Sequence, residues 1–168
     1  GEFTLLDYGC GKGDDLEILK KNDVPALGWD PVHAPDGELT HSDIVNLGFV
    51  LNVIENPAER KETLKDAYQF ANKLIVIAVM LGGENRAQQF EQYGDGVITS
   101  RKTFQKYYTQ QELREYLENT LGEDAIAAAP GIFFVFKDKV AEQEYLEKKQ
   151  RRRFAGRTFK PLQKARKT

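Results

Sequence analysis

Apolar and polar positions along this chain change period repeatedly, and the changes predict strands separated by helices. Thr4-Leu5-Leu6-Asp7-Tyr8 is a short apolar run that stops at Gly9-Cys10-Gly11-Lys12-Gly13, and Asp14-Asp15 then open a stretch with Leu16 and Leu19 three apart. That is the signature of strand, glycine turn and helix. The aspartates suit the positive end of the helix dipole, and Lys20-Lys21 suit its other end. Ala26-Leu27-Gly28-Trp29 predicts a second strand, ended by Asp30-Pro31 because proline blocks continuation. Residues 32 to 42 have no period and read as loop. The front half of Asp43 to Leu51 is a buried-strand run. Asn56-Pro57-Ala58-Glu59 then provides a cap, a proline at the first helical position and an acid three residues after the cap. A helix is predicted from there, with Leu64, Ala67, Tyr68 and Ala71 on one face, followed by a continuously apolar strand over residues 74 to 80.

The second half is less regular until Thr109 and Glu112, another capping box, after which Leu113, Tyr116, Leu117 and Leu121 form a stripe closed by Gly122. Ile132-Phe133-Phe134-Val135-Phe136 predicts a last strand, residues 138 to 153 a helix, and residues 154 to 168 no structure. There is no internal repeat. Alternating strands and helices with short connections imply an α/β sandwich with a mostly parallel sheet, with right-handed crossovers.

Composition narrows the class. The 168 residues are 40% hydrophobic and 30% charged, the balance of a single soluble domain, and no apolar run approaches the length of a membrane helix. The N-terminal segment lacks the regions of a signal peptide. One cysteine, Cys10, with His33 and His41 offers too few soft ligands for a structural zinc site. The expectation is a cytoplasmic, metal-free domain. The net charge of -2 hides a division: residues 148 to 168 hold ten Lys or Arg and no acid, while residues 1 to 147 hold fourteen bases and twenty-six acids. Such a block is commonly a solvated extension, and it is also the footprint with which proteins meet phosphate backbones, here with Phe154 and Phe159 as stacking surfaces.

In an open α/β sheet, ligands bind beyond the carboxyl ends of the strands, where the first glycine turn lies. The spacing Asp7-Tyr8-Gly9-Cys10-Gly11-Lys12-Gly13 brings the third glycine one residue too early for a dinucleotide fingerprint, and Asp14-Asp15 would repel a pyrophosphate. A cofactor without phosphate but with a cationic centre, such as S-adenosylmethionine, is compatible. Asp30, at the tip of the second strand, is expected to accept hydrogen bonds from both ribose hydroxyls.

These residues resemble class I S-adenosylmethionine-dependent methyltransferases, whose first motif is acid-x-G-x-G-x-G and whose second is an acid ending the next strand. The resemblance implies a Rossmann-like sandwich with an antiparallel edge near the C-terminus. It also implies a cofactor site at Asp7, Tyr8, Gly9, Cys10, Gly11, Gly13, Asp30 and Pro31, with Leu47, Gly48 and Phe49 beside the reactive methyl. Only twelve residues separate Asp30 from Asp43, too few for the usual third strand and its helix, so Pro31, Val32 and His33 are left to cover the adenine. Residues 1 to 138 form the methyltransferase domain in this reading, and 139 to 168 a basic helix and tail.

A narrower similarity covers nearly the whole chain. Asp43 to Arg60, Tyr107-Tyr108-Thr109 and Gly131-Ile-Phe-Phe-Val-Phe through Arg151-Arg152-Arg153 look like the methyltransferases associated with bacterial DNA phosphorothioation. That similarity implies an excised C-terminal domain in a DNA-modification setting, with DNA on the basic tail 148 to 168 and phosphorothioation proteins as partners. No base-methylation motif accompanies it: Asn46-Leu47-Gly48-Phe49 stands where an amino-methylating enzyme carries a Pro-Pro-aromatic loop, and Cys10 lies inside the cofactor turn, where it is expected to be a packing residue. Asn52, Arg101, Tyr107 and Tyr108 are candidates for an acceptor cleft, set against a plainer reading, favoured for the aromatics, in which Tyr108 packs in a core. His33 is either a general base or an exposed loop residue. Two other functions compete: a non-catalytic module binding S-adenosylmethionine or nucleic acid, favoured by the missing catalytic loop, and a nucleotide-dependent oxidoreductase, disfavoured by the glycine spacing.

Overall fold

The computed structural model describes residues 3 to 157. Two compact units divide the chain, Gly1–Lys137 and one beginning at Asp138. In the first, β1 (Leu5–Tyr8), α1 (Asp14–Lys21) and β2 (Ala26–Trp29) form the opening βαβ unit, followed by β3 (Ser42–Gly48), α2 (Pro57–Gln69) and β4 (Ala71–Ala78). A short α3 (Glu84–Ala87) leads to β5 (Glu91–Tyr93), β6 (Gly96–Ile98) and β7 (Phe104–Gln105), and then to α4 (Gln110–Leu121), β8 (Ala125–Ala129) and β9 (Ile132–Phe136). The main sheet has six strands in the order β2-β1-β3-β4-β9-β8. The first four are parallel, β9 runs antiparallel to β4, and the edge strand β8, antiparallel to β9, points the same way as the first four.

Register explains the core. Leu6 stands beside Val45, Val45 beside Ile75 and Ile75 beside Val135, and the next row carries Leu47, Ile77 and Phe133. All seven are fully buried, together with Leu64 and Ala67 of α2 and Leu113 and Leu117 of α4, which cover that face. Each large aliphatic buried this way stabilises the fold by roughly 1.5–3 kcal/mol. Asn56 caps α2 as expected, its Oδ1 accepting from the amides of Ala58 at 2.9 Å and Glu59 at 3.1 Å. Thr109 caps α4 through the Glu112 amide, and Gly122 ends it with φ +70°.

Several boundaries differ from the sequence pattern. Ala71 belongs to β4, not to the apolar face of α2, and β4 therefore starts three residues before the apolar run. The alanine-rich β8 carried no strand signal, and it forms because β9 offers a partner on both sides of an irregularity between Ala127 and Ala129. The irregular middle segment holds α3 and a separate antiparallel sheet, β5-β6-β7. The terminal helix α5 (Lys139–Arg157) continues through residues 154 to 157, which had been expected to lack structure. The rest of the tail, including Phe159, lies outside the described residues. No helix among the described residues is long and apolar enough to cross a membrane.

At the outer edge of β2, residues 31 to 41 add no strand. A single bridge from Asp30 to Ala34 and a turn closing with the Gly37 amide on the Ala34 carbonyl take that place. A side chain at Gly37 would collide with the Gly28 carbonyl, so the turn lies directly on the strand edge. On the opposite side of Gly28, a Cβ would run into Leu16 of α1 and Cys10, and its absence lets the helix and the glycine turn close on β2.

Candidate cofactor site

A cleft of about 470 Å³ opens at the carboxyl ends of β1, β2 and β3. This is the size range of small-molecule sites, and the place where open α/β sheets bind ligands. One wall is Tyr8 and Gly9 with Trp29, whose ring packs on that of Tyr8 at 4.8 Å between centroids. A second is Asp30, Pro31, Val32 and His33, and a third is Gly48, Phe49 and Val50 with Val53 and Ile54. Glu59 and Thr63 of α2 complete it.

Four of the five amides in the glycine turn are already engaged. The amides of Gly9 and Cys10 both donate to the Trp29 carbonyl, at 2.7 and 3.0 Å, and that of Gly13 donates to the Cys10 carbonyl at 3.1 Å. The Gly11 amide donates to Oδ2 of Asp30 at 2.9 Å. A phosphate cradle presents its amides outward, so these four are not arranged for one. Gly9 takes φ +85°, and a Cβ added there would lie 2.7 Å from Cγ2 of Val50, which makes glycine the residue that both the backbone and the cleft wall accept.

Asp30 is more fully used than its position in the sequence implied. Oδ1 accepts from the amides of Val32 and His33, both at 2.9 Å, while Oδ2 holds Gly11. A carboxylate has about four acceptor positions, so one remains for a ligand hydroxyl, on Oδ2, rather than a pair. Burial pushes its carboxyl up, but the three amides of His33, Val32 and Gly11 outweigh it and hold the group below the ordinary value. Asp7 lies beneath the turn, 5% exposed, and accepts from Nδ2 of Asn46 at 3.1 Å. Desolvation raises its pKa against that hydrogen bond, and the charges of Asp15 and Asp30 raise it further. Three carboxylates at this end of the sheet make the surroundings favourable to a cation.

Phe49 has a left-handed backbone, φ +58°, an unusual state for a bulky residue, and its ring is 55% exposed at the cleft rim. The other predicted residues separate. Cys10, Gly11 and Gly13 shape the turn without lining the cleft. The Cys10 thiol is pushed up by burial and by Asp7 and Asp30, which fits packing and not nucleophilic chemistry. Leu47 is fully buried in the core and faces away from the cleft. Tyr108 is a core residue whose hydroxyl reaches the Leu51 carbonyl at 3.4 Å, and desolvation raises its pKa. Asn52 is 2% exposed with Oδ1 unpartnered among the described residues, Arg101 is exposed in the turn between β6 and β7, and Tyr107 lies under the Arg86 guanidinium. None of these four borders the cleft.

Sequence reasoning missed Trp29, Val50, Val53, Ile54, Glu59 and Thr63. The lone tryptophan next to the acid was the one local signal; the others depend on how the turn after β3 and the start of α2 fold back. Arg60 fixes that turn. Its buried guanidinium donates to the Ile54 carbonyl from Nε at 3.1 Å and from Nη2 at 2.6 Å, and pairs with both oxygens of Asp95 in the β5-β6 turn.

The chain is similar to the 1,6-didemethyltoxoflavin-N1-methyltransferase of Burkholderia thailandensis, crystallised with its namesake ligand and S-adenosylhomocysteine (TM-score 0.56, 14% identity, over 81% of this chain and 71% of that one). The chain has the Rossmann-like methyltransferase fold. A SAM-dependent methyltransferase of Methanosarcina mazei gives TM-score 0.54 at 14% identity over 80% of this chain and 91% of that one. The magnesium protoporphyrin IX methyltransferase of Synechocystis PCC 6803, with bound SAM, gives 0.53 at 12% identity over 82% and 71%. No protein-family model and no curated protein matches the sequence.

Proposed function

We propose that this chain is an S-adenosylmethionine-dependent methyltransferase. The observation that carries the reading is the cleft joining Gly9 to Asp30 beside a glycine turn that has four of its five amides already engaged, so that the site favours a ligand with no phosphate and a positive charge. The residues fit that cofactor. Tyr8 and Gly9 would hold the methionine part, the open position on Asp30 one ribose hydroxyl, and Val32, Val50, Val53 and Ile54 the adenine, in place of the absent strand. When bound, S-adenosylmethionine supplies a methyl group on a sulfonium, an excellent leaving group. The chain then has to orient an acceptor and exclude water, and positioning of that kind accounts for much of such a rate enhancement. His33 and Glu59, both on the cleft wall, are the proton acceptors at hand for an acceptor that must lose a proton.

The finer part of the proposal is a cytoplasmic role linked to bacterial DNA phosphorothioation or restriction. Its support is the sequence similarity over residues 43 to 60, 107 to 109 and 131 to 153, and the basic block 148 to 168. The test is calorimetry with S-adenosylhomocysteine against NAD, followed by transfer of labelled methyl to DNA, RNA and protein. Binding of the former alone, with label incorporated, is expected. Binding of NAD alone overturns the cofactor reading, and cofactor binding without transfer to any acceptor points to a sensor or scaffold.

A further inference from the structure

The helix α5 divides its charge along its length. Its acids Glu142, Glu144 and Glu147 lie in the first half, and from residue 148 onward every charged residue is a base. Lys148, Lys149, Arg152 and Arg153 border one groove together with Tyr145. At 3.6 residues per turn the four bases fall within an arc of about 140°, and Arg151 points roughly 130° from its centre. Lys148, Arg152 and Arg153 are exposed and form no ion pair with another described residue. Four cations in two successive turns, on a rod about 10–12 Å across, match the width of the B-DNA major groove and the phosphates that border it; the major groove of duplex RNA is too deep and narrow for side chains to read.

We infer that this face of α5 is a docking surface for duplex DNA, through Lys148, Lys149, Arg152 and Arg153 on the phosphates. The inference takes its setting from the DNA link proposed above and uses none of the cofactor chemistry. It is tested on the full chain by fluorescence anisotropy with a labelled DNA duplex of about two helical turns, between roughly 50 and 200 mM salt. Changing all four bases to alanine is expected to weaken binding about a hundredfold or more and to reduce the log–log salt slope by about 3 to 4, since each phosphate contact contributes about 0.9. Arg152→Ala alone takes about 0.9 from the slope, while Arg151→Ala, losing the same charge from another face, takes much less. Circular dichroism verifies that helicity is retained.

A quadruple variant with wild-type slope overturns the inference. So does an Arg151→Ala loss equal to that of Arg152→Ala, which would mean bulk charge and not a face. Equal or tighter binding to duplex RNA, or to vesicles containing phosphatidylserine, overturns the choice of DNA. Calorimetry of wild type and quadruple variant with S-adenosylhomocysteine separates the two readings. Absence of cofactor binding in both, with DNA binding lost only in the variant, sinks the cofactor reading and leaves this one standing.

Discussion

Replacing Asp30 by asparagine probes the junction on which the cleft depends. The asparagine Oδ1 keeps an acceptor for the Val32 and His33 amides, so the turn at residues 31 to 33 survives, but Nδ2 then faces the Gly11 amide, donor against donor. A hydrogen bond to a charged group contributes about 1.5–3 kcal/mol, and Asp30 is partly exposed, so solvent screening reduces the loss of folding stability to about 1 kcal/mol. A ribose hydroxyl loses its acceptor on the same atom. That loss weakens S-adenosylhomocysteine by about 1.5–3 kcal/mol, or roughly 10- to 150-fold in Kd. The sign of the pH dependence follows from the lowered carboxyl. Its stabilisation is present above the unfolded value near about 4 and disappears as pH falls through the lower folded value. Urea unfolding at neutral pH and below about pH 4, with calorimetry at neutral pH, is the assay. The gap between wild type and Asp30→Asn should narrow in acid. Equal cofactor affinity in the two proteins, with equal stability at neutral pH, would refute the account of the junction.

Three further outcomes are expected. Gly9→Ala forces an alanine to φ +85° with its methyl against Val50, costing about 1–3 kcal/mol of stability and at least about tenfold in S-adenosylhomocysteine affinity by calorimetry; unchanged affinity would place the cofactor elsewhere. Asp95→Ala leaves the Arg60 guanidinium, 2% exposed, without its carboxylate. Because Asp95 itself is 38% exposed, the loss is about 2–3 kcal/mol rather than the 3–5 of a fully buried pair, and Arg60→Met added to it should restore part of this in urea unfolding. Asn56→Ala removes the cap of α2 and lowers stability by about 1 kcal/mol without altering the unfolding slope; no loss would show that the cap is redundant with Pro57.

Local signals settled much of this protein. Asn56-Pro57 and Thr109 announced their helices because capping is a contact between a side chain and amides two or three residues on, and such chemistry is written in adjacent positions. The glycine turn and Asp30 were legible for the same reason, and the gap of twelve residues after Asp30 ruled out another strand and helix there by length alone. The Asp30-Pro31 pair even carried the signal of an aspartate-led turn, which uses one oxygen of the very carboxylate assigned to the ligand. The remainder needed the folded chain. The alanines of β8 become a strand only beside β9; the short strands β5 to β7 pair with one another; Trp29 of β2 meets Ile54 and Thr63, from the loop before α2 and from α2 itself, in one cleft. Burial and pairing are set by neighbours brought together by packing, and Leu47, apolar at a strand end, went to the core because its register with Ile77, and not its own chemistry, decided which face it shows.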